Sequence, residues 1–262
     1  MSAPPYAIDR AGLKTRLRRG EATFGTFLGT ASPVAAEICA ASGVDWVLLD
    51  LEHGSGGEEQ VLGVVPAAAS YGVPTLVRAE STARIRTGRL LDLGAVGVMF
   101  PRIDGPADAA AAVRHLRYPP DGDRGVATYN RMCRFGLDRD AIARAGAEVV
   151  GIVQIETRAA LESVEAIAAL DGVDVLFVGP QDLSYALGVP GDRTAPVFVT
   201  ALDRVLRAAL AAGKAAGLLV PDGTSAARLA EEGWQFLAVG SDGVLLATAV
   251  SNEMRAARRE QA

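Results

Sequence analysis

Eight short runs rich in β-branched residues and leucine recur along the chain, with stretches of helical apolar spacing between them. The runs are Thr23–Leu28, Asp45–Leu49, Thr75–Val77, Val96–Phe100, Val149–Ile155, Val173–Val178, Ala216–Val220 and Gln235–Val239. Helical spacing marks Pro33–Ala41, Ala83–Leu93, Ala107–Leu116, Ala159–Leu170, Val199–Ala212 and Ser225–Glu232. Ser32-Pro33 reads as an N-cap with proline in the first helical position, and Gly43, Gly94, Gly172, Gly213 and Gly233 read as helix stops. This alternation predicts an α/β fold of the closed (β/α)8 TIM-barrel type, which takes about 250 residues. An open doubly wound sheet would carry G-x-G-x-x-G after its first strand, and Gly29-Thr30-Ala31-Ser32-Pro33 is no such fingerprint. The chain has 262 residues, so residues 1–262 are expected to form a single barrel domain with no second core.

Composition narrows the partners. A net charge of −5 argues against a nucleic-acid backbone binder. No apolar stretch approaches the ~20 residues of a bilayer span, and the N-terminus lacks the apolar core of a secretory signal. Cys39 and Cys133 show no disulfide or zinc spacing, which fits a reducing cytoplasm. The expectation is a cytoplasmic protein with a small-molecule partner, no nucleic acid and no membrane. Two long connections, Tyr118 to Gly136 and Gly179 to Pro196, are either functional loops or variable surface insertions.

In such barrels the reacting groups collect where strands end and βα loops begin. The second run ends Asp50-Leu51-Glu52-His53, the third in Arg78, the fifth in Gln154-Ile155-Glu156, and the sixth in Gly179-Pro180-Gln181-Asp182. Strand alternation puts Ile152, Gln154 and Glu156 on one face, which must point into the barrel mouth because the other face packs on apolar helices. Asp182 lies one βα unit later. Two carboxylates converging there repel unless a divalent cation or a shared proton lies between them, and oxygen ligands suit Mg²⁺ or Mn²⁺. The competing reading makes them salt-bridge partners, or makes Asp182 the cap of a helix beginning at Leu183. His53 follows a strand end and titrates near neutrality, or merely hydrogen-bonds backbone. His115 sits within a helix and reads as structural. Arg78 should point inward with Leu76, and it needs an anionic partner from either protein or substrate. The only lysines, Lys14 and Lys214, fall away from the mouth, so a Schiff-base aldolase is excluded.

Asp50-Leu51-Glu52-His53-Gly54, Val77-Arg78, Gln154-Ile155-Glu156-Thr157-Arg158 and Gly179-Pro180-Gln181-Asp182-Leu183-Ser184 together resemble the HpcH/HpaI aldolases. These are metal-dependent, class II pyruvate aldolases related to the citrate lyase β subunit. The resemblance runs from about Gly25 to Ala249 and includes Tyr118-Pro119-Pro120 and Arg124-Gly125. It implies a (β/α)8 barrel whose C-terminal helix is exchanged with a neighbour in a homohexamer. It further implies Glu156 and Asp182 as ligands of Mg²⁺, Mn²⁺ or Co²⁺, Gln154 and Asp182 as substrate contacts, and the backbone around Gln181 at the substrate carboxylate. Arg78 would stabilise an enolate, and His53 would act as base supported by Asp92.

The expected activity is reversible cleavage of a 4-hydroxy-2-oxo acid to pyruvate, or a close 2-oxo acid, and an aldehyde. Oxaloacetate decarboxylation through the same enolate is one alternative; a catalytically silent barrel with a binding role is another. Gly29-Thr30-Ala31 and Thr128–Met132 lie where the family varies, so the resemblance implies no particular aldehyde. Phe27 is expected either to line the aldehyde side or to pack in the core.

Overall fold

The computed structural model describes residues 9–259. A short helix, α1 (Gly12–Arg18), precedes the first strand β1 (Thr23–Leu28), which leads into α2 (Pro33–Ala41). Next come β2 (Trp46–Asp50), α3 (Glu58–Ala69), β3 (Thr75–Arg78), α4 (Arg84–Asp92), β4 (Gly97–Phe100) and α5 (Pro106–Arg114). After a long loop follow α6 (Ala141–Glu148), β5 (Val150–Ile155), the short helices α7 (Arg158–Glu162) and α8 (Val164–Ala168), and β6 (Val175–Val178). The chain ends with α9 (Pro180–Ala186), α10 (Pro196–Ala211), β7 (Ala215–Val220), α11 (Gly223–Glu231), β8 (Phe236–Ser241) and α12 (Asp242–Arg259). All eight strands are parallel and pair in chain order, and β8 returns to β1 to close the barrel.

Strand alternation sorts the apolar residues into two bodies. Phe27, Trp46, Leu48, Leu76, Ile152 and Phe177 fill the barrel interior. Val47, Leu49, Val77, Val153 and Ile155 face outward against the helices, where small residues such as Ala36, Ala40 and Ala68 allow close approach. Trp46 lies flat on Phe236 with ring centroids 3.9 Å apart, and Gly25 leaves the space that the Trp46 ring occupies. Phe27 is buried within this interior and stacks on Phe177, so it packs the core while one side of it reaches the cavity above.

The floor of the barrel is closed by α1. Leu13 and Leu17 join the interior cluster, and Lys14 between them is only 3% exposed. Its ammonium donates to the Val149 carbonyl at 2.6 Å and to Asp174 Oδ2 at 2.9 Å, and the same Asp174 oxygen accepts from the Gly151 amide at 2.9 Å.

Ser32 caps α2, accepting from the Ala35 amide at 3.3 Å, and Gly43 follows it with φ +90°, in the left-handed region open to glycine. The Gly179–Pro196 connection is shorter than the sequence implies, because α9 starts at once with Pro180 in its first position. Asp182 therefore stands within the first turn of α9 and is not the cap of a helix beginning at Leu183. Cys39 and Cys133 are both free. Among the described residues, no helix is long and apolar enough to cross a membrane.

Candidate active site

A cavity of roughly 630 Å³ opens at the carboxyl ends of the strands. Its wall includes His53, Arg78, Gln154, Gln181 and Asp182, so five of the residues singled out by sequence meet there. Glu156 lies just beneath the wall at 3% exposure, behind Gly179.

Arg78 ends β3 directly beside Asp50 at the end of β2, a register that makes the two residues neighbours. Its Nε and Nη2 donate to Asp50 Oδ1 and Oδ2 at 2.8 and 2.7 Å, and Nη1 stands 3.2 Å from Glu52 Oε2. The anionic company of this buried guanidinium is thus protein carboxylate, with its Cζ 5.3 Å from the Phe27 ring centroid. Burial works against ionisation of Asp50, but the Arg78 bonds outweigh it and hold the carboxyl below its ordinary range. Asp50 Oδ1 also accepts from the amides of Glu52 and His53 at 3.0 and 3.2 Å. One carboxylate therefore fixes both the guanidinium and the turn that carries the histidine. Sequence alone gives Asp50 a place at the strand end and in the Asp50–Gly54 motif but no role, although its parity with Trp46 and Leu48 aims it inward.

Glu156 is held by two donors. The Arg102 amide reaches Oε1 at 2.7 Å, and Gln154 Nε2 reaches Oε2 at 2.8 Å. Arg102 adopts φ +55°, an unusual conformation for a non-glycine residue, in the loop after β4 that aims this amide. Burial pushes the Glu156 carboxyl up and the Arg102 amide pulls it down, while the charges of Glu52 and Asp182 push it up again. Glu52 is likewise raised, first by burial; Arg78 and His53 oppose the shift, and Asp50 and Asp182 add to it. Three acidic side chains thus crowd one another at the mouth. Asp182 makes no hydrogen bond or ion pair with any described residue.

His53 stands at the rim with its side chain 65% exposed and Nε2 3.8 Å from Glu52 Oε2. Asp92 is elsewhere. It ends α4, and a helix of this fold ends near the strand starts, at the floor end. Its carboxylate accepts from Arg124 Nη2 at 2.6 Å, and the Arg124 guanidinium lies 4.6 Å over the Tyr118 ring. Within one chain Asp92 does not meet His53, and the Tyr118–Gly125 motif serves to tie the long loop to α4. His115 pairs with Asp123 at 2.6 Å in that same region, away from the cavity.

The mouth has the donor chemistry of a hard cation. Gln154 gives its amide nitrogen to Glu156, leaving its buried Oε1 without a partner. The carboxylates are oxygen donors, and Gly179 leaves open the space beside Glu156 that a Cβ would enter. Among the described residues no three His, Cys, Asp or Glu side chains are spaced to enclose an ion unaided. Such a cation would rest on Glu156 and Asp182 and take its remaining ligands from water or substrate, which fits an open catalytic site.

Comparison with known proteins places these residues in context. The family model described as HpcH/HpaI aldolase/citrate lyase matches residues 23–249. A pyruvate aldolase of Rhizobium etli is 41% identical over 234 residues, covering 89% of this chain and 92% of that protein. A hydroxypyruvate/pyruvate aldolase of Paraburkholderia phytofirmans is 40% identical over 236 residues, covering 88% and 91%. The crystal structure of an HpcH/HpaI aldolase/citrate lyase family protein from Burkholderia cenocepacia superposes with a TM-score of 0.90 at 40% identity, over 95% of this chain and 99% of that one.

Proposed function

The chain belongs to the HpcH/HpaI aldolase/citrate lyase family, and from that premise we propose that it is a carbon–carbon lyase of the pyruvate aldolase type. It cleaves a 4-hydroxy-2-oxo acid reversibly to pyruvate, or a close 2-oxo acid, and an aldehyde. The observation that carries this reading is the meeting of Arg78, Gln154, Asp182 and the buried Glu156 at one end of the barrel, together with the activities named for relatives about 40% identical.

Glu156 and Asp182 are the residues that hold a divalent cation, Mg²⁺, Mn²⁺ or Co²⁺. Bound there, the ion supplies Lewis-acid polarisation of the 2-oxo acid, worth several kcal/mol. Gln154 donates to Glu156 and holds its carboxylate in place, and it lines the cavity. The Gln181 backbone, in the first turn of α9, meets the substrate carboxylate. As the C3–C4 bond breaks, its electron pair stays with the 2-oxo acid as an enolate, and Arg78 lowers the energy of that negative charge. A guanidinium pinned by Asp50 is already oriented before the charge develops, which is the condition for effective electrostatic catalysis. His53, exposed at the rim where the aldehyde enters, takes the proton of the C4 hydroxyl on cleavage and returns it on synthesis, while the enolate takes a proton at C3 from solvent water to become pyruvate.

Assembly completes the reading. The α12 side chains Leu245, Leu246, Val250 and Met254 are between 43% and 65% exposed, an apolar row with no cover in one chain. Beside it an apolar groove of about 450 Å³ runs between α2 and the β1–β8 seam. Exchange of α12 into the groove of a neighbour buries both; with the family resemblance, the assembly we propose is a homohexamer of single-domain chains, residues 1–262, and its place of work the cytoplasm.

The test follows the methyl proton signal of pyruvate in D₂O with purified protein and added Mg²⁺, Mn²⁺ or Co²⁺. Metal-dependent loss of the signal is expected, without any need to know the aldehyde. Full exchange after exhaustive chelation, or a lysine adduct trapped by borohydride, would refute the mechanism.

A further inference from the structure

The cavity is larger than the 2-oxo acid requires. Its roughly 630 Å³ falls in the range of pockets that take a drug-sized ligand, well beyond the size of a three-carbon acid. Depth divides this space. Gln154 and Glu156 are 1% and 3% exposed, so a molecule that reaches them sits at the bottom of the mouth. The outer part is bounded by Leu219, Pro221, Ser241, Val244 and Thr248, and by Arg193 from the turn between α9 and α10.

Three cationic or cation-forming side chains line the cavity: His53, Arg78 and Arg193. Arg78 donates to Asp50 and stands 3.2 Å from Glu52, at the ends of β2 and β3 where the reading above gives it to the enolate. His53 stands 3.8 Å from Glu52. Arg193 is exposed and makes no hydrogen bond or ion pair with any described residue. Its neighbour Asp192 is turned away, accepting from the Thr194 amide and hydroxyl at 2.9 and 2.7 Å. The arginine therefore presents a permanent charge and a planar set of donors that no protein carboxylate uses. The carboxylate of the 2-oxo acid is beside its keto carbon and is confined to the deep end. The ligand in reach of the rim arginine is the aldehyde.

We propose that Arg193 is a specificity-determining residue that selects aldehydes carrying an oxyanion, carboxylate or phosphate, at the end remote from the carbonyl. This rests on the aldolase reading above and deepens it by naming the class of the second substrate. The apolar wall of Leu219, Pro221 and Val244 accommodates the carbon chain between the reacting carbon and the anion.

The experiment measures aldol synthesis from pyruvate with matched aldehydes: succinic semialdehyde against butanal, and glyceraldehyde 3-phosphate against glyceraldehyde. The wild-type protein should favour at least one anionic member in kcat/KM, and the pair showing the preference distinguishes carboxylate from phosphate. Arg193→Ala should reduce that preference by about tenfold, mainly through KM, the scale of one charge-assisted contact at an exposed rim. Arg193→Lys should retain part of it and Arg193→Glu should reverse it. The wild-type preference should also fall as salt is raised, because exposed charges are screened. Pyruvate KM and pyruvate proton exchange should stay unchanged in all three variants. An anionic-to-neutral ratio unaltered by Arg193→Ala, or an equal rise in pyruvate KM, overturns the proposal. Absence of pyruvate exchange in the wild-type protein instead overturns the aldolase reading itself.

Discussion

Gly179→Ala isolates the geometry on which metal binding is proposed to depend. The residue has φ −82° and ψ +94°, open to any L-residue, so alanine introduces no backbone strain. Its Cβ, however, would stand 2.5 Å from Glu156 Oε2, 3.1 Å from Glu156 Cβ and 3.2 Å from Gln154 Nε2. Ordinary contact begins at 3.4 Å, so the carboxylate oxygen must retreat by about 0.9 Å. Glu156 is tethered by the Arg102 amide at 2.7 Å and Gln154 Nε2 at 2.8 Å. A retreat of that size carries one of those bonds past the ~3.2 Å limit of a good hydrogen bond. Disturbing the groups that orient a metal ligand costs roughly 10–100-fold in metal affinity, and misplacement by about 1 Å costs on the order of 10²-fold in rate. Calorimetric metal titration and pyruvate exchange in D₂O should therefore both fall. The melting transition should record only the ~1–3 kcal/mol of an overpacked site. Gly146→Ala, on α6 with no atom within 4 Å of the added carbon, is the neutral control. Adding Glu156→Asp to Gly179→Ala withdraws a methylene and should recover part of the binding. Metal affinity and exchange in Gly179→Ala within about threefold of wild type would show that the close approach does not matter to function.

Two further outcomes test the floor and the assembly. Lys14→Met keeps the apolar stem but strands Asp174 in a buried setting, with side chains 4% and 10% exposed in the intact pair. It should cost about 3–5 kcal/mol, or roughly 6–12 °C in Tm by thermal scanning, leave kcat unchanged at 25 °C, and be largely relieved by adding Asp174→Asn. Charging the exposed row of α12 with Leu246→Glu and Val250→Glu should convert an oligomer to a monomer in light scattering. A monomeric wild-type protein at micromolar concentration would contradict the exchanged helix.

Strand ends were legible because parity and burial act locally. The inward aim of Gln154, Glu156 and Arg78 follows from which face of each run is apolar. The partner of Arg78 needed one step more, the β2–β3 register that sets it beside Asp50. The grip of the Arg102 amide on Glu156 left no trace in the sequence, since a backbone donor has no side-chain identity. Gly63 and Pro66 lie inside α3 and interrupt the spacing that would mark it as a helix. Asp92 was displaced from His53 because its position depends on where α4 ends and on Arg124 from a loop 32 residues away, a contact that no local pattern encodes. Arg193 has no motif around it, and only the folded cavity brings it to the mouth.

The packed interior of Trp46, Phe177 and Phe236, with α1 beneath it, makes the barrel a cup that opens at the strand ends. A vessel with one opening imposes a queue on whatever it holds. On the proposed reading, the acid that sits deepest enters before the aldehyde that lies above it, and on cleavage it leaves after the aldehyde. Sequence of arrival and departure, which enzymes often enforce with moving lids, is on that reading a property of the packed interior. Trp46, Phe177 and Phe236 close the way through the barrel, and Leu13, Leu17 and Lys14 of α1 hold that packing from below.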